Sequence, residues 1–271
     1  MRNKRLIILL SVVVTVVLCI VVCGATFLVR HVEAYNYYVD SPDYDDKVIE
    51  ASGIKTGSSI FFVDEAGITR KIESAFADVG VVNIERKFPD RVSINYVVYG
   101  NLFQFAGGDG YLQCYSSGRI FSSSATPQSG FFVVKPRDKA NTEVGSFFQE
   151  RTGYDMSLIK SFTDYMHSAG LIDAQITERV AFMDLTRDGY CYIRMRSGCS
   201  IEIKGTGDEF STLLDDGWSV YAEGKPDFPV NRETGLIRVW MNRSDPDNPT
   251  PRVTYSPTDN EEYYSEHYLR A

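Results

Sequence analysis

The chain is poor in the residues that carry most enzymatic chemistry. Of its 271 residues three are histidine and five are cysteine, and neither type recurs at a metal-ligand spacing. His31, His167 and His267 lie far apart, with no cysteine beside any of them. Gly205-x-Gly207 runs on into Glu209 and Phe210 without a third glycine, which makes it a loop and not a phosphate cradle. The serines fall in turns and lack a nucleophile-elbow pattern. Carboxylate pairs such as Asp215-Asp216 and Glu261-Glu262 are sequence neighbours, as expected of a solvated surface and not of an acid–base couple. The expectation is a protein with no catalytic residues, no metal and no cofactor.

Basic charge is also in short supply. Twenty-eight Lys and Arg stand against 36 Asp and Glu, a formal net charge of −8, and Arg2, Lys4 and Arg5 precede every acidic residue. An acidic body argues against nucleic acid, anionic lipid surfaces and acidic wall polymers as partners. Cysteine can be read by geometry. Cys191 and Cys199 flank an apparent hairpin whose turn lies at Ser197-Gly198, and its register sets Cys191 opposite a residue near Ile203. The two sulfurs are then offset by about 13 Å along the strands, whereas a disulfide needs Cα atoms within about 7 Å. Cys114, Cys191 and Cys199 are expected as thiols.

What the chain does have is one long apolar run, Leu6 to Val29, without a charged residue. As a helix it would measure about 36 Å, enough for a hydrocarbon core of about 30 Å. It is longer than a signal-peptide core of about 7 to 15 residues, and Ile20-Val21-Val22 before Cys23 lacks a lipoprotein-type small residue. The run predicts a single transmembrane helix over 6–29. Arg2, Lys4 and Arg5 put residues 1–5 in the cytoplasm and the remainder outside, a type II topology.

From Ser41 to Tyr99 the order of signals is compact. Ser41 and Pro42 open a short helix that ends before Gly53. Asp64 caps a second helix with Ile68, Ile72, Ala75, Phe76 and Val79 on one face, stopped by Gly80. Two strands, Val81 to Phe88 and Arg91 to Val98, join at Pro89-Asp90. With a strand before Ser41 the reading is β-α-α-β-β over 30–99.

Beyond Tyr99 a second, mixed α/β domain with an antiparallel sheet is expected over 100–243. Strands are suggested at Leu102 to Ala106, Tyr111 to Tyr115, Arg119 to Ser122 and Phe131 to Val134. A helix capped by Asp155 follows and ends at Gly170, then a meander over Ile176 to Thr186, Tyr190 to Arg196 and Ser200 to Lys204. In its middle strand Cys191, Ile193 and Met195 alternate with Tyr192, Arg194 and Arg196, the pattern of a sheet covered on one face. A helix near Asp208 to Leu214 and a last strand, Leu236 to Met241, close the domain. Residues 244–271, with four prolines and many acids, read as a disordered tail.

Ser52-Gly53-Ile54, Gly57 to Asp64, and Val82 to Ile94 with its Arg86-Lys87-Phe88-Pro89 step closely resemble the POTRA domain of the FtsQ/DivIB bacterial cell-division proteins. Gly118-Arg119-Ile120-Phe121, Phe132 to Lys135 and Gly235 to Val239 are similar to strands of that family's β domain. The resemblance implies a non-enzymatic divisome scaffold at the division septum. It would bind single-pass coiled-coil proteins of the FtsL and FtsB/DivIC type and help control septal peptidoglycan synthesis, acting indirectly on the septal synthase. The alternative is a membrane-anchored POTRA adaptor of another envelope process, sporulation or secretion.

A final strand with an unpaired edge can accept a partner strand through main-chain hydrogen bonds. The candidate is the strand of Leu236, Ile237, Arg238, Val239, Trp240 and Met241. Trp240 is either an aromatic anchor for the partner or a core residue.

Overall fold

A computed structural model describes residues 12–18, 26–37, 42–149, 153–205, 207–223, 230–245, 248–257 and 260–269. The chain is α+β and divides into two compact units, Met1–Tyr99 and Gly100–Ala271.

The first unit runs β1 (His31–Asn36), α1 (Pro42–Ser52), a single 3-10 turn (Ile60–Phe62), α2 (Glu65–Ala75), β2 (Val79–Lys87) and β3 (Arg91–Val98). Gly53 ends α1 in the left-handed region, at φ 66°, where a side chain would be strained. At α2 the cap is real: Asp64 Oδ1 accepts from the Gly67 amide at 3.0 Å. Asp64→Ala is expected to cost about 1 kcal/mol of unfolding free energy, measured by urea denaturation. The proposed cap at Ser41 lies outside the described residues.

β3 is central, parallel to β1 and antiparallel to β2. It is therefore screened from water on both edges, and Val92, Ile94 and Tyr96 are fully buried against Val48, Ile68 and Ile72 of the helices. The Tyr96 hydroxyl donates to Asp45 Oδ1 at 2.7 Å and so fastens α1 to the sheet. Arg86 of the Arg-x-aromatic-Pro step has a structural task. Its Nη2 donates to the Val63 carbonyl at 3.1 Å and pairs with Glu65 at 2.8 Å, pinning the start of α2 to β2.

Two expectations for this unit are corrected. Helix α2 stops at Ala75, and Val79 and Gly80 belong to β2. Gly80 is required there because the Tyr99 ring lies where a Cβ would be. The expected membrane-spanning helix over 6–29 is overturned. Residues 12–18 are helical and the rest of 6–25 lies outside the described residues, but residues 27–29 belong to the folded unit. Leu28 bridges to Ser59, and Val29 is fully buried with its amide donating to the Ser58 carbonyl at 2.8 Å. Among the described residues no helix is long and apolar enough to cross a membrane.

The second unit is a nine-stranded sheet ordered β12-β11-β10-β9-β8-β7-β4-β5-β6. Its strands are β4 (Asn101–Gly107), β5 (Gly110–Tyr115), β6 (Ile120–Ser124), β7 (Phe132–Lys135), β8 (Val180–Asp184), β9 (Tyr190–Met195), β10 (Ser200–Lys204), β11 (Leu236–Asn242) and β12 (Thr250–Ser256). The sheet is mixed and not purely antiparallel, since β4–β7, β7–β8 and β10–β11 are parallel. Parallel neighbours need a crossover. Helices α3 (Tyr154–Ser168) and α4 (Asp173–Arg179) lie between β7 and β8, and α5 (Asp208–Glu223) between β10 and β11.

These helices cover one face of the sheet. Met156, Ile159 and Phe162 of α3, Ile176 of α4 and Phe210, Leu213 and Leu214 of α5 share one core with Phe103, Phe132, Ile193, Ile201 and Val239. Asp155 is not a cap: it is buried in the first turn of α3, its Oδ2 accepting from the Asp138 amide and from Gln149 Nε2, both at 2.8 Å. Burial holds its carboxyl above the usual range, against the opposing pull of those hydrogen bonds. The segment read as a strand from Ile176 begins as helix α4, opened by Gln175 accepting from the Ile172 amide. Cys191 stands opposite Ile203, and Cys114, Cys191 and Cys199 are buried free thiols. Burial raises the pKa of each, Cys199 to about 11.

The expectation of an unfolded tail after Ser244 also fails. It carries β12 and a helix α6 (Asn260–Tyr268), and α6 covers part of the opposite sheet face through Tyr263, Tyr264 and Tyr268. Tyr192 of β9, read as facing water, is fully buried beneath it.

Candidate functional site

The six residues of the expected partner strand form β11, and β11 is not an edge. It pairs in parallel with β10, Leu236 opposite Ser200, and antiparallel with β12, Val239 opposite Val253. Leu236, Ile237 and Val239 are buried, and Arg238 pairs with Glu202 at 3.0 Å. Trp240 and Met241 are half-buried. The six are thus the inner neighbour of the edge strand. The edge itself is β12, missed because proline-rich sequence conceals it.

Two strands end this sheet, and they are treated differently. Along β6 the chain doubles back: the Ile120 amide donates to Ser146 and the Gly145 amide to Ile120. Along residues 250–255 of β12, no backbone segment among the described residues pairs with the outer side. Pro251 gives the phase of that edge. A proline sits in a sheet where its missing N–H would face away from the neighbouring strand. By alternation Val253 and Tyr255 present their amides and carbonyls outward, while Arg252 and Thr254 bond to β11. The side chains of Val253 and Tyr255 pack against the core under α5.

Helix α5 holds this edge from one face, and α6 covers the neighbouring strands on the other. Gly217 lets α5 press onto the sheet, since a Cβ there would stand 3.0 Å from both Ile201 Cγ2 and Val239 Cγ2. On the opposite face α6 is fastened by hydroxyls to two buried carboxylates. Tyr263 donates to Glu202 Oε2 at 2.8 Å and Tyr268 to Glu202 Oε1 at 2.8 Å, while Tyr264 donates to Asp184. Arg187 and Arg238 complete the shell of Glu202, and Lys135 lies beside Asp184. The rings pack at a tilt against Tyr192, whose centroid is 4.9 Å from that of Tyr264 and 5.1 Å from that of Tyr268. Burial and the adjacent Glu202 push the Tyr263 hydroxyl up to about 12, and burial with the neighbouring carboxylate raises Tyr264 and Tyr268 further. Each hydroxyl is thereby kept protonated as a donor.

Such a site offers main-chain hydrogen bonds and side-chain surface for docking. Among the described residues no group of three His, Cys, Asp or Glu side chains is placed to hold a metal ion. His167 bonds to Asp173, whose other oxygen accepts from the Gly100 amide, a structural brace within the second unit.

Residues 44–96 match the family model described as the POTRA domain, FtsQ-type. The match covers α1 to β3 of the first unit and supports an FtsQ/DivIB-family protein. A domain of this type goes with a scaffold role in cell division at the septum, generally without catalysis, and with protein–protein contacts. No curated protein matches the chain.

Proposed function

We propose that this protein is a non-enzymatic scaffold of the divisome, which takes a strand from a coiled-coil protein of the FtsL or FtsB/DivIC type onto the edge of β12. Through that contact it helps control septal peptidoglycan synthesis. The observation that carries the reading is the outward row of main-chain groups on β12, whose Val253 and Tyr255 are anchored in the core under α5. Edge strands are usually blunted because they recruit other chains, so an uncovered one on a braced sheet suits strand addition. The FtsQ-type match favours cell division over another envelope process.

The test is where the protein works. A fluorescent fusion is expected to gather at the division site, and depletion to give filamentous cells. Diffuse signal with normal division would sink the reading. Trp240, half-buried one strand in from the edge and opposite Arg252, serves as the aromatic anchor behind the incoming strand. Trp240→Ala is expected to weaken recovery of the coiled-coil partners by about 1 kcal/mol or more while the chain stays folded.

A further inference from the structure

The charges around β12 select the chemistry of the strand it takes. Helix α5 carries Asp208, Glu209, Asp215, Asp216 and Glu223 and no Lys or Arg. Glu209, Asp216 and Glu223 recur every seventh residue and so share a face. That face looks toward the β11–β12 hairpin, because Arg243, just past β11, pairs with Glu209 at 2.5 Å. Asp215 faces the other way, accepting from Tyr165 of α3.

On the far face of the sheet α6 is seated inward of the edge, its Glu261 pairing with Arg194 of β9 at 3.3 Å. Tyr263 reaches toward β11, where Arg238 lies 5.2 Å from its ring, and Tyr264 toward β8. Cations near the edge are mostly engaged already. Arg243 is on Glu209, Arg238 on Glu202, and Arg232 donates to the Tyr221 and Ala222 carbonyls at the end of α5. Arg252 is the basic residue of β12 itself.

Resting on the strand-addition reading above, we infer that the segment added to β12 is basic, an extended strand bearing Lys or Arg that runs along the acidic flank of α5. An added strand lies about 4.8 Å beyond β12. That step is shorter than the Debye length of about 8 Å at 0.15 M salt, so the α5 flank acts on it. The field of that flank speeds encounter and rejects acidic segments, while the main-chain bonds supply holding strength.

The probes are two synthetic peptides with the same alternating Val and Thr core, one with lysine and the other with glutamate at the remaining positions. Each is titrated against the full chain by fluorescence anisotropy at low and at high salt. The lysine peptide is expected to bind about tenfold tighter or more at low salt, with the difference shrinking as salt rises. Asp216→Lys with Glu223→Lys narrows it, and Val253→Pro, which removes an outward N–H, abolishes binding of either peptide. Equal affinities would overturn the charge inference and leave strand addition standing. Binding of neither peptide would overturn both. Lysine-peptide binding that survives Val253→Pro would mean adhesion to acidic surface away from the edge, and overturns the inference as well.

Discussion

Tyr268→Ala is expected to lower the unfolding free energy of the second unit by about 3–5 kcal/mol, the range for truncating a buried aromatic side chain. Tyr268 is 7% exposed, its ring lies against Tyr192 and Tyr264, and its hydroxyl bonds to Glu202, whose side chain is 2% exposed. The alanine removes both the packing and a donor to a buried carboxylate. Tyr268→Phe keeps the ring and should cost only about 1–3 kcal/mol, the effect of leaving part of the Glu202 demand unmet. Urea denaturation of both variants separates the two contributions. A loss below about 1 kcal/mol for the alanine variant would mean that α6 is not docked as described. The same cluster sets an alkaline limit. The unfolded phenol ionises near its ordinary 10.0, whereas folded Tyr263 holds its proton to about 12. The folded state then binds more protons, so this stability is complete below pH 10 and is lost as pH rises toward 12.

Val253→Pro is expected to reduce affinity for the coiled-coil partner at least about tenfold, or about 1.4 kcal/mol. The outward N–H of Val253 is one of the few groups an incoming strand can bond, and proline deletes it without touching the ladder to β11. Pro251 occupies the same phase two residues earlier, so the edge already accommodates a ring at such a position. Val253→Ala is the control. It loses the same contact with the core under α5 but keeps the amide, and should bind as the parent does. If the alanine variant binds as weakly as the proline variant, the side chain and not the strand edge carries recognition.

The first unit was the more legible in sequence because its signals are local. Ile68 and Ile72 repeat at helical spacing, Asp64 caps, and Arg91 to Val98 reads as a continuous central strand. Gly80 misled, since its purpose is close approach by Tyr99, a partner distant in sequence. In the second unit the strands around Cys191 could be placed by alternation, and their register came out right. Helix α4 escaped because Ile176 and Thr177 are β-branched and packing overrides that preference. The edge strand and α6 were illegible for another reason. Their segment has four prolines and almost no aliphatic side chains, and α6 docks through tyrosine hydroxyls on carboxylates that sit in β8 and β10. Nothing within the segment announces those acceptors. The strand expected at the sheet edge was therefore placed at β11, whereas the edge strand is β12.

The order in which the sheet is built gives it a property in time. β11 lies parallel to β10 across the α5 crossover, and β12, the next strand in the chain, pairs antiparallel with β11. The outermost strand is thus the last of the nine to leave the ribosome, following the first unit by roughly ten to thirty seconds at about 5–20 residues per second. A chain arrested before Ser256 cannot offer the edge at all. On the proposed reading, recruitment through β12 would pass over nascent chains in which that strand is not yet made.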